Sequence, residues 1–165
     1  MKHLILVRHA KSSWSDPSLR DHDRPLNNRG LRDAPRMGKL LHQRGVAPDT
    51  LVSSTAVRAL TTARLLAKQL DYPQADIQQE PRIYEAGVSD LFVVIRELDD
   101  AWNQVALFGH NPGFTYLANT FKGQEIVNVP TCGIVQVRLD VAHWAEALPE
   151  NGTVQHFFYP KMLPG

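Results

Sequence analysis

The sequence predicts a three-layer α/β/α domain with a mainly parallel sheet and a C-terminal pair of strands. Short apolar runs, typical of buried strands, alternate with segments whose apolar residues recur at helical spacing. The C-terminal part instead alternates apolar and polar residues around the turn signal Asn151-Gly152. The 165 residues are 43% hydrophobic and contain no linker or repeat, so we expect a single domain over 1–165.

The first strand is predicted at residues 4–7, a continuous apolar run that is typical of a strand buried on both faces. It ends at the basic pair Arg8-His9. The polar segment 12–28 has no hydrophobic period and predicts a long loop, a kind of loop that often carries function. Within this loop we expect Trp14 to be packed and residues 21–23 to form a solvated turn.

Helical periodicity predicts four helices between the remaining strands. The first helix runs from about Leu31 to Gly45, and the second follows a strand at 50–52, with Ser53 to Thr55 as candidate N-caps. The later predictions are a strand within 76–80, a helix capped by Ser89, a strand at 105–108, a helix over 114–121, an antiparallel strand pair at 133–139 and 154–159, and a short helix at 142–147.

Composition excludes several functional classes. A formal net charge of +1 is too balanced for a nucleic-acid or membrane-surface protein. No apolar stretch approaches the ~20 residues that span a bilayer, and the N-terminal apolar run is too short for a signal peptide. The single cysteine, Cys132, excludes an internal disulfide. We therefore expect a cytoplasmic protein. The sequence carries no indication of its oligomeric state.

Basic residues follow three of the predicted strands. The first strand ends in Arg8 and His9, Arg58 lies in the first helical turn after the second strand, and Gly109-His110 follows the strand at 105–108. Each residue taken alone is more often structural or solvated. Because ligands of open α/β sheets bind beyond the carboxyl ends of the strands, these residues are expected to share one site. Guanidinium groups and helix N-termini favour a phosphate there.

A metal site is the other structure that the histidines suggest. His9 and His110 have no third ligand nearby in the sequence, and flanking arginines repel a cation. We expect neither a metal nor another cofactor.

Four blocks of sequence together resemble the histidine phosphatase (phosphoglycerate mutase-like) superfamily. In chain order they are Leu6-Val7-Arg8-His9-Ala10, Pro25-Leu26-Asn27-Asn28-Arg29-Gly30, the segment 53–63 with Arg58-Ala59 and Thr62-Ala63, and Gly109-His110-Asn111. The short chain and the segments around Trp14 and Pro35 look most like the SixA-type phosphohistidine phosphatases. The resemblance implies a phosphoglycerate mutase-like fold.

The resemblance also implies roles for individual residues. His9 would be a nucleophile that is phosphorylated transiently, and Arg8, Arg58 and His110 would hold the phosphoryl oxygens. Glu85 lies near the position of the acidic proton donor of the mutases. It is equally well explained as a surface carboxylate in the turn before the third helix, and both interpretations stay open.

Two further residues are candidate substrate contacts by the same resemblance. Ser15 occupies a position where mutase-like members often carry a phosphate-binding asparagine. Asn111 belongs to the block of the second histidine. The implied reaction is metal-independent hydrolysis of a phosphoryl group, and the expected partner is a phosphorylated substrate.

The leaving group favours one substrate. Imidazole, whose conjugate acid has a pKa of ~6.5, leaves with little help from an acid, whereas an alkoxide resembles hydroxide, whose parent acid has a pKa of ~15.7. An enzyme whose general acid is not established is therefore best suited to phosphohistidine in a protein as its substrate.

Several alternatives remain at this point. They are a small-molecule phosphomonoesterase, a phosphoglycerate mutase-like phosphomutase and a non-catalytic phosphopeptide-binding module. The spacing from Cys132 to Arg138 also matches the Cys-x5-Arg pattern of cysteine-dependent phosphatases. The β-branched, alternating residues between them favour a strand instead.

Overall fold

A six-stranded sheet forms the centre of the molecule, and the computed structural model describes residues 1–164. The strands are β1 (Lys2–Arg8), β2 (Thr50–Ser53), β3 (Gln78–Gln79), β4 (Gln104–Gly109), β5 (Ile134–Leu139) and β6 (Gly152–Phe158). Their order is β3-β2-β4-β1-β5-β6. The first four strands of this order are parallel, whereas β5 runs antiparallel to both β1 and β6. The predicted sheet with its C-terminal strand pair is confirmed.

Two pairs of helices cover the sheet. They are α1 (Asn28–Gln43), α2 (Val57–Gln69), α3 (Val88–Arg96) and α4 (Gly113–Thr120). Successive side chains of a strand point to opposite faces, so Ile5 and Val7 of β1 pack with the residues of α1 and α2. Leu4 and Leu6 pack with those of α3 and α4. This explains the unbroken apolar run of β1 and confirms the three layers.

Some elements are shorter than predicted. The strand expected within 76–80 pairs with β2 only over Gln78–Gln79. The carboxylate of Glu80 accepts the N–H of Arg82, and a 3-10 turn begins there instead of a longer strand. The helix expected at 142–147 is a 3-10 turn at Trp144–Glu146.

Two helices begin at residues other than the predicted caps. α2 follows Ala56, which has no capping side chain, and α3 follows Gly87. The predicted cap Ser89 lies within the first turn of α3. The hydroxyls of Ser54 and Thr55 contact two histidines, His110 and His22 respectively, which gives them a place in the site described below.

The segment 12–28 is a loop, as predicted, but its details differ from the prediction. Trp14 is not packed into the core: the residue is 74% exposed, and its ring contacts the guanidinium of Arg24, which lies 3.5 Å from the ring centroid. Residues Asp21–Asp23 form a 3-10 turn that bonds to α2 through Asp21 and is therefore not a freely solvated turn. Within residues 1–164, no helix has the length and apolar character needed to cross a membrane.

Candidate active site

The register of β1 and β4 brings His9 and His110 together. The two parallel strands pair so that Arg8 lies opposite Gly109. The next residue along each strand therefore leaves the sheet at the same level, and the ring centroids of His9 and His110 are 5.3 Å apart. Gly109 is required there because a Cβ atom would lie 2.6 Å from the ring of Phe114.

Arg58 reaches this edge from the first turn of α2. The hydroxyl of Thr62, one turn further along the helix, donates to the carbonyl of Arg58 (2.7 Å) and accepts the N–H of Ala10 (2.9 Å). This bridge fixes the start of α2 against the end of β1. Arg58 is only 6% exposed. The predicted convergence of basic residues from three strands is therefore present in the structure.

Three buried nitrogen atoms of the cluster have no hydrogen-bond partner among the described residues. They are Nε of Arg8, Nε of Arg58 and Nδ1 of His110. The rest of the Arg8 guanidinium is anchored, since Nη1 donates to the carbonyl of Val129 at 3.0 Å. Buried donors without a partner are costly, and their occurrence at one sheet edge indicates a site for an anion with several acceptor oxygens.

His9 is held in one tautomer. Its Nδ1 lies 2.7 Å from the carbonyl oxygen of Ala10, and because a carbonyl only accepts, the proton is on Nδ1. Nε2 therefore carries the free electron pair. Burial lowers the pKa of His9 to about 4, partly offset by the bond to Ala10, and the nearby arginine charges lower it further. The imidazole is therefore neutral near pH 7 and presents the free electron pair of Nε2 to the site.

His110 is also neutral. Burial and the neighbouring His9 lower the pKa of His110 to about 3. Its Nε2 lies 2.8 Å from Oγ of Ser54, which already accepts the N–H of Ala56. When the Ser54 hydroxyl donates its proton to Nε2, Nδ1 of His110 carries the ring proton and is a donor for an anion. The sequence predicts Ser54 only as a candidate cap, but its position directly after β2 is a signal for a residue of the site.

The turn at Asp21–Asp23 brings Asp21 and Tyr84 to the site, and the sequence predicts neither of them there. The Asp21 carboxylate accepts hydrogen bonds from Arg58 (2.9 Å), Arg24 (3.1 Å) and the hydroxyl of Tyr84 (2.6 Å). The Tyr84 ring packs edge-on against His110, with centroids 5.5 Å apart. The hydrogen bond from Tyr84, followed by the bond and charge of Arg58, holds the pKa of Asp21 well below its usual range.

A cavity of about 370 Å³ opens beside His110. It is lined by Glu85, Ala86, Gly87, His110, Asn111, Pro112, Gly113 and Tyr116. Glu85 is exposed, and its backbone lies in the left-handed region with φ of 58°. For a residue other than glycine this conformation costs about 1 kcal/mol. The structure therefore places Glu85 on the wall of a cavity that adjoins the histidine pair.

The polar groups of Ser15 and Asn111 are paired within the protein. Ser15 is exposed, and its hydroxyl bonds to Ser13 at 2.8 Å. The side-chain amide of Asn111 donates to Oδ1 of Asn128 and to the carbonyl of Val129. Its oxygen accepts from the main-chain N–H and from the hydroxyl of Thr115. These four bonds use the whole amide, so Asn111 braces the start of α4 and offers no free donor.

Cys132 is not the nucleophile of a phosphate-binding loop. It is fully buried, and burial raises the pKa of its thiol. Arg138 lies on β5, where it pairs with Asp140 at 3.1 Å. The Cys-x5-Arg interpretation is therefore wrong, as the alternating pattern indicated. Among residues 1–164, no three histidine, cysteine, aspartate or glutamate side chains are grouped so as to hold a metal ion.

Comparison with known proteins identifies the family to which the chain belongs. The model of the histidine phosphatase superfamily (branch 1) matches residues 4–93. An uncharacterised protein of Mycobacterium tuberculosis strain H37Rv is 31% identical over an alignment of 165 positions, which covers 94% of this chain and 100% of that protein. An uncharacterised chloroplast protein of Arabidopsis thaliana is 31% identical over 92% of this chain and 72% of its own length.

The fold is shared with a solved structure. A chain from Agrobacterium tumefaciens, assigned as a phosphohistidine phosphatase SixA, superimposes with a TM-score of 0.82 at 26% identity over 96% of this chain and 98% of that chain. The family resemblance predicted from the sequence blocks is thus confirmed, and the shared fold extends over nearly the whole chain. The protein belongs to branch 1 of the histidine phosphatase superfamily and is an enzyme of the phosphatase or phosphomutase type.

Proposed function

We propose that this protein is a phosphatase that forms a phosphoenzyme on Nε2 of His9, and that its substrate is phosphohistidine in a protein. One observation carries the proposal. A neutral histidine with its free electron pair on Nε2 lies among three buried nitrogen atoms that have no partner in the described chain. A phosphoryl group has three non-bridging oxygens that these donors can satisfy.

The reaction has two steps. Nε2 of His9 attacks phosphorus, and the bond from phosphorus to the substrate nitrogen breaks with its electron pair going to that nitrogen. The substrate ring carries a proton on its other nitrogen, so it leaves as neutral imidazole. Water then attacks the phosphoryl group on His9, the P–Nε2 bond breaks with its electron pair returning to Nε2, and the two protons of the water leave with the inorganic phosphate. His9 returns to its starting form, so no base is consumed.

The positive charge for both steps comes from side chains. Arg8 and Arg58 would hold phosphoryl oxygens through Nε, and His110 would donate from Nδ1. Positioning and charge stabilisation supply most of the catalysis of phosphoryl transfer. With two guanidinium groups at the site, we propose that the reaction needs no metal ion.

The cavity beside His110 favours a leaving group without negative charge. Glu85 is the one acidic side chain of its lining, and no lysine or arginine from the described residues lines it. A phosphoglycerate would bring a carboxylate close to Glu85 without a cation to pair with it. A histidine side chain carries no such charge and also leaves easily.

A comparison of three substrates tests the proposed function. We expect kcat/KM for a histidine-phosphorylated protein to exceed that for p-nitrophenyl phosphate and for phosphoglycerate by at least about tenfold, a difference of about 1.4 kcal/mol in transition-state stabilisation. The assay measures release of inorganic phosphate. A preference for phosphoglycerate with transfer to an acceptor would instead identify a phosphomutase. Binding without turnover of any of the three would identify a binding module.

Glu85→Gln is expected to slow hydrolysis of an alkyl phosphate more than hydrolysis of phosphohistidine. The reason is that an alkoxide needs a proton from an acid as it leaves, and imidazole does not. We expect a loss of roughly 10²-fold on the alkyl phosphate, typical of a general acid, and a change of less than about threefold on phosphohistidine. Steady-state kinetics on both substrates measure the difference.

The matched control is Glu80→Gln, since Glu80 pairs with Arg82 on the preceding turn and lies outside the cavity beside His110. Equal losses on both substrates after Glu85→Gln would contradict the role of Glu85 as a proton donor.

A further inference from the structure

We infer that Asp21 is a positioning residue that orients the guanidinium of Arg58 for phosphoryl transfer, an inference that rests on the proposed function. Asp21 binds Arg58 twice. Its main-chain carbonyl accepts from Nη1 at 2.6 Å, and its carboxylate accepts from Nη2 at 2.9 Å. The two bonds hold the terminal edge of the guanidinium in one plane and one direction.

The donors that remain on Arg58 determine what this orientation achieves. A guanidinium has five N–H donors, of which Asp21 takes two. Nε is buried and has no partner among the described residues. Because the fork is planar and rigid, fixing its terminal edge also fixes the direction of Nε. Asp21 thus holds the Arg58 side chain in one rotamer, with Nε oriented to donate to an oxygen of the phosphoryl group.

Asp21 is itself fixed from several sides. Arg24 and Tyr84 donate to its carboxylate, and Arg24 in turn donates to the hydroxyl of Ser12 at 2.8 Å. The next residue, His22, lies 2.8 Å from the hydroxyl of Thr55 and packs edge-on against Tyr84. The turn is therefore anchored to segments before and after it in the chain. Because the Asp21 carboxylate is itself fixed, it can hold the Arg58 side chain in place.

The expected kinetic signature separates positioning from binding. Loss of Asp21 frees the Arg58 guanidinium, but it also removes a negative charge near the phosphate. These two effects oppose each other in ground-state binding, whereas misalignment in the transition state is not compensated. Asp21→Asn is therefore expected to lower kcat by about 10- to 100-fold, while the Kd for inorganic phosphate changes by less than about threefold.

A double-mutant cycle with Arg58 tests the inference. Wild type, Asp21→Asn, Arg58→Ala and the double variant are compared by kcat on p-nitrophenyl phosphate and by the Kd of orthovanadate, which mimics the transition state. We expect Asp21→Asn to weaken both readouts by about 10- to 100-fold in the wild-type background. In the Arg58→Ala background we expect less than about a twofold change, because Asp21 acts through Arg58.

Asp16→Asn is the matched control. Asp16 lies in the same loop, residues 12–28, and among the described residues its carboxylate bonds only to Ser18. We expect its kinetics to stay within about twofold of wild type. If Asp21→Asn does not fold, as judged by thermal unfolding, Asp21→Glu enters the same cycle, since it keeps the charge and moves the carboxylate by one methylene.

The outcomes distinguish this inference from the proposed function. Equal losses from Asp21→Asn in both backgrounds would overturn the positioning role even if wild type is an active phosphatase. Vanadate binding by wild type without turnover would refute the proposed function, and the binding cycle would still decide the role of Asp21. Wild type that shows neither turnover nor vanadate binding would overturn both.

Discussion

Replacing His9 with alanine is expected to reduce phosphatase turnover by on the order of 10³-fold or more, because it removes Nε2, which presents a free electron pair beside the phosphate donors. The same variant is expected to lose all covalent labelling. Wild type incubated with a ³²P-phosphorylated substrate and quenched in alkali should retain label on His9, since phosphohistidine survives alkali and is labile to acid. The measurement combines initial rates with the radioactivity of the isolated protein.

His42→Ala is the control for this experiment. His42 is an exposed histidine in the last turn of α1 and does not line the cavity beside His110, so we expect both its rate and its labelling to match wild type. Full activity of His9→Ala, or label on another residue, would show that His9 is not the nucleophile. Undiminished binding of inorganic phosphate by His9→Ala would accompany the loss of turnover, since the arginines remain.

Arg58→Ala is expected to lower kcat/KM by roughly 10²- to 10³-fold, the loss that follows removal of one preorganised donor to a developing charge. Arg58 is 6% exposed and its Nε has no partner among the described residues, so its charge acts in a poorly solvated site. Arg58→Lys is expected to restore only part of the activity, because an ammonium group lacks the planar fork. Steady-state kinetics on p-nitrophenyl phosphate measure both variants.

Arg64→Ala is the matched control, because Arg64 is an exposed arginine on the same helix, α2. Arg64→Ala removes the same type of side chain from the same helix, and it should leave kcat/KM within about twofold of wild type. If Arg58→Ala kept a similar rate, Arg58 would be a structural partner of Asp21 and not a phosphate clamp.

The sequence was informative where burial and chain order decide the outcome. The apolar run that ends at Arg8 predicted a strand covered on both faces, and helices on each side of β1 cover it. Parallel strands place their carboxyl ends at one edge, so basic residues following three strands were expected to meet. His9 and His110 do so, with ring centroids 5.3 Å apart.

The sequence was less informative about side chains in loops and at helix starts. Ser54 and Thr55 are residue types that are typical of N-caps, but their hydroxyls contact His110 and His22. Asn111 has the residue type of a substrate contact, but its amide is used by neighbouring segments. Local propensity does not record which distant group competes for a hydroxyl or an amide.

By itself the sequence determined the layers, the order of the elements and the four residues Arg8, His9, Arg58 and His110, because periodicity records burial and strand ends record position along the chain. Only the tertiary structure decided how these residues are oriented. Asp21 lies 37 residues from Arg58, and Ser54 lies 56 residues from His110. Hydrogen bonds over such separations depend on the path of the folded chain, and no local pattern in the sequence encodes that path.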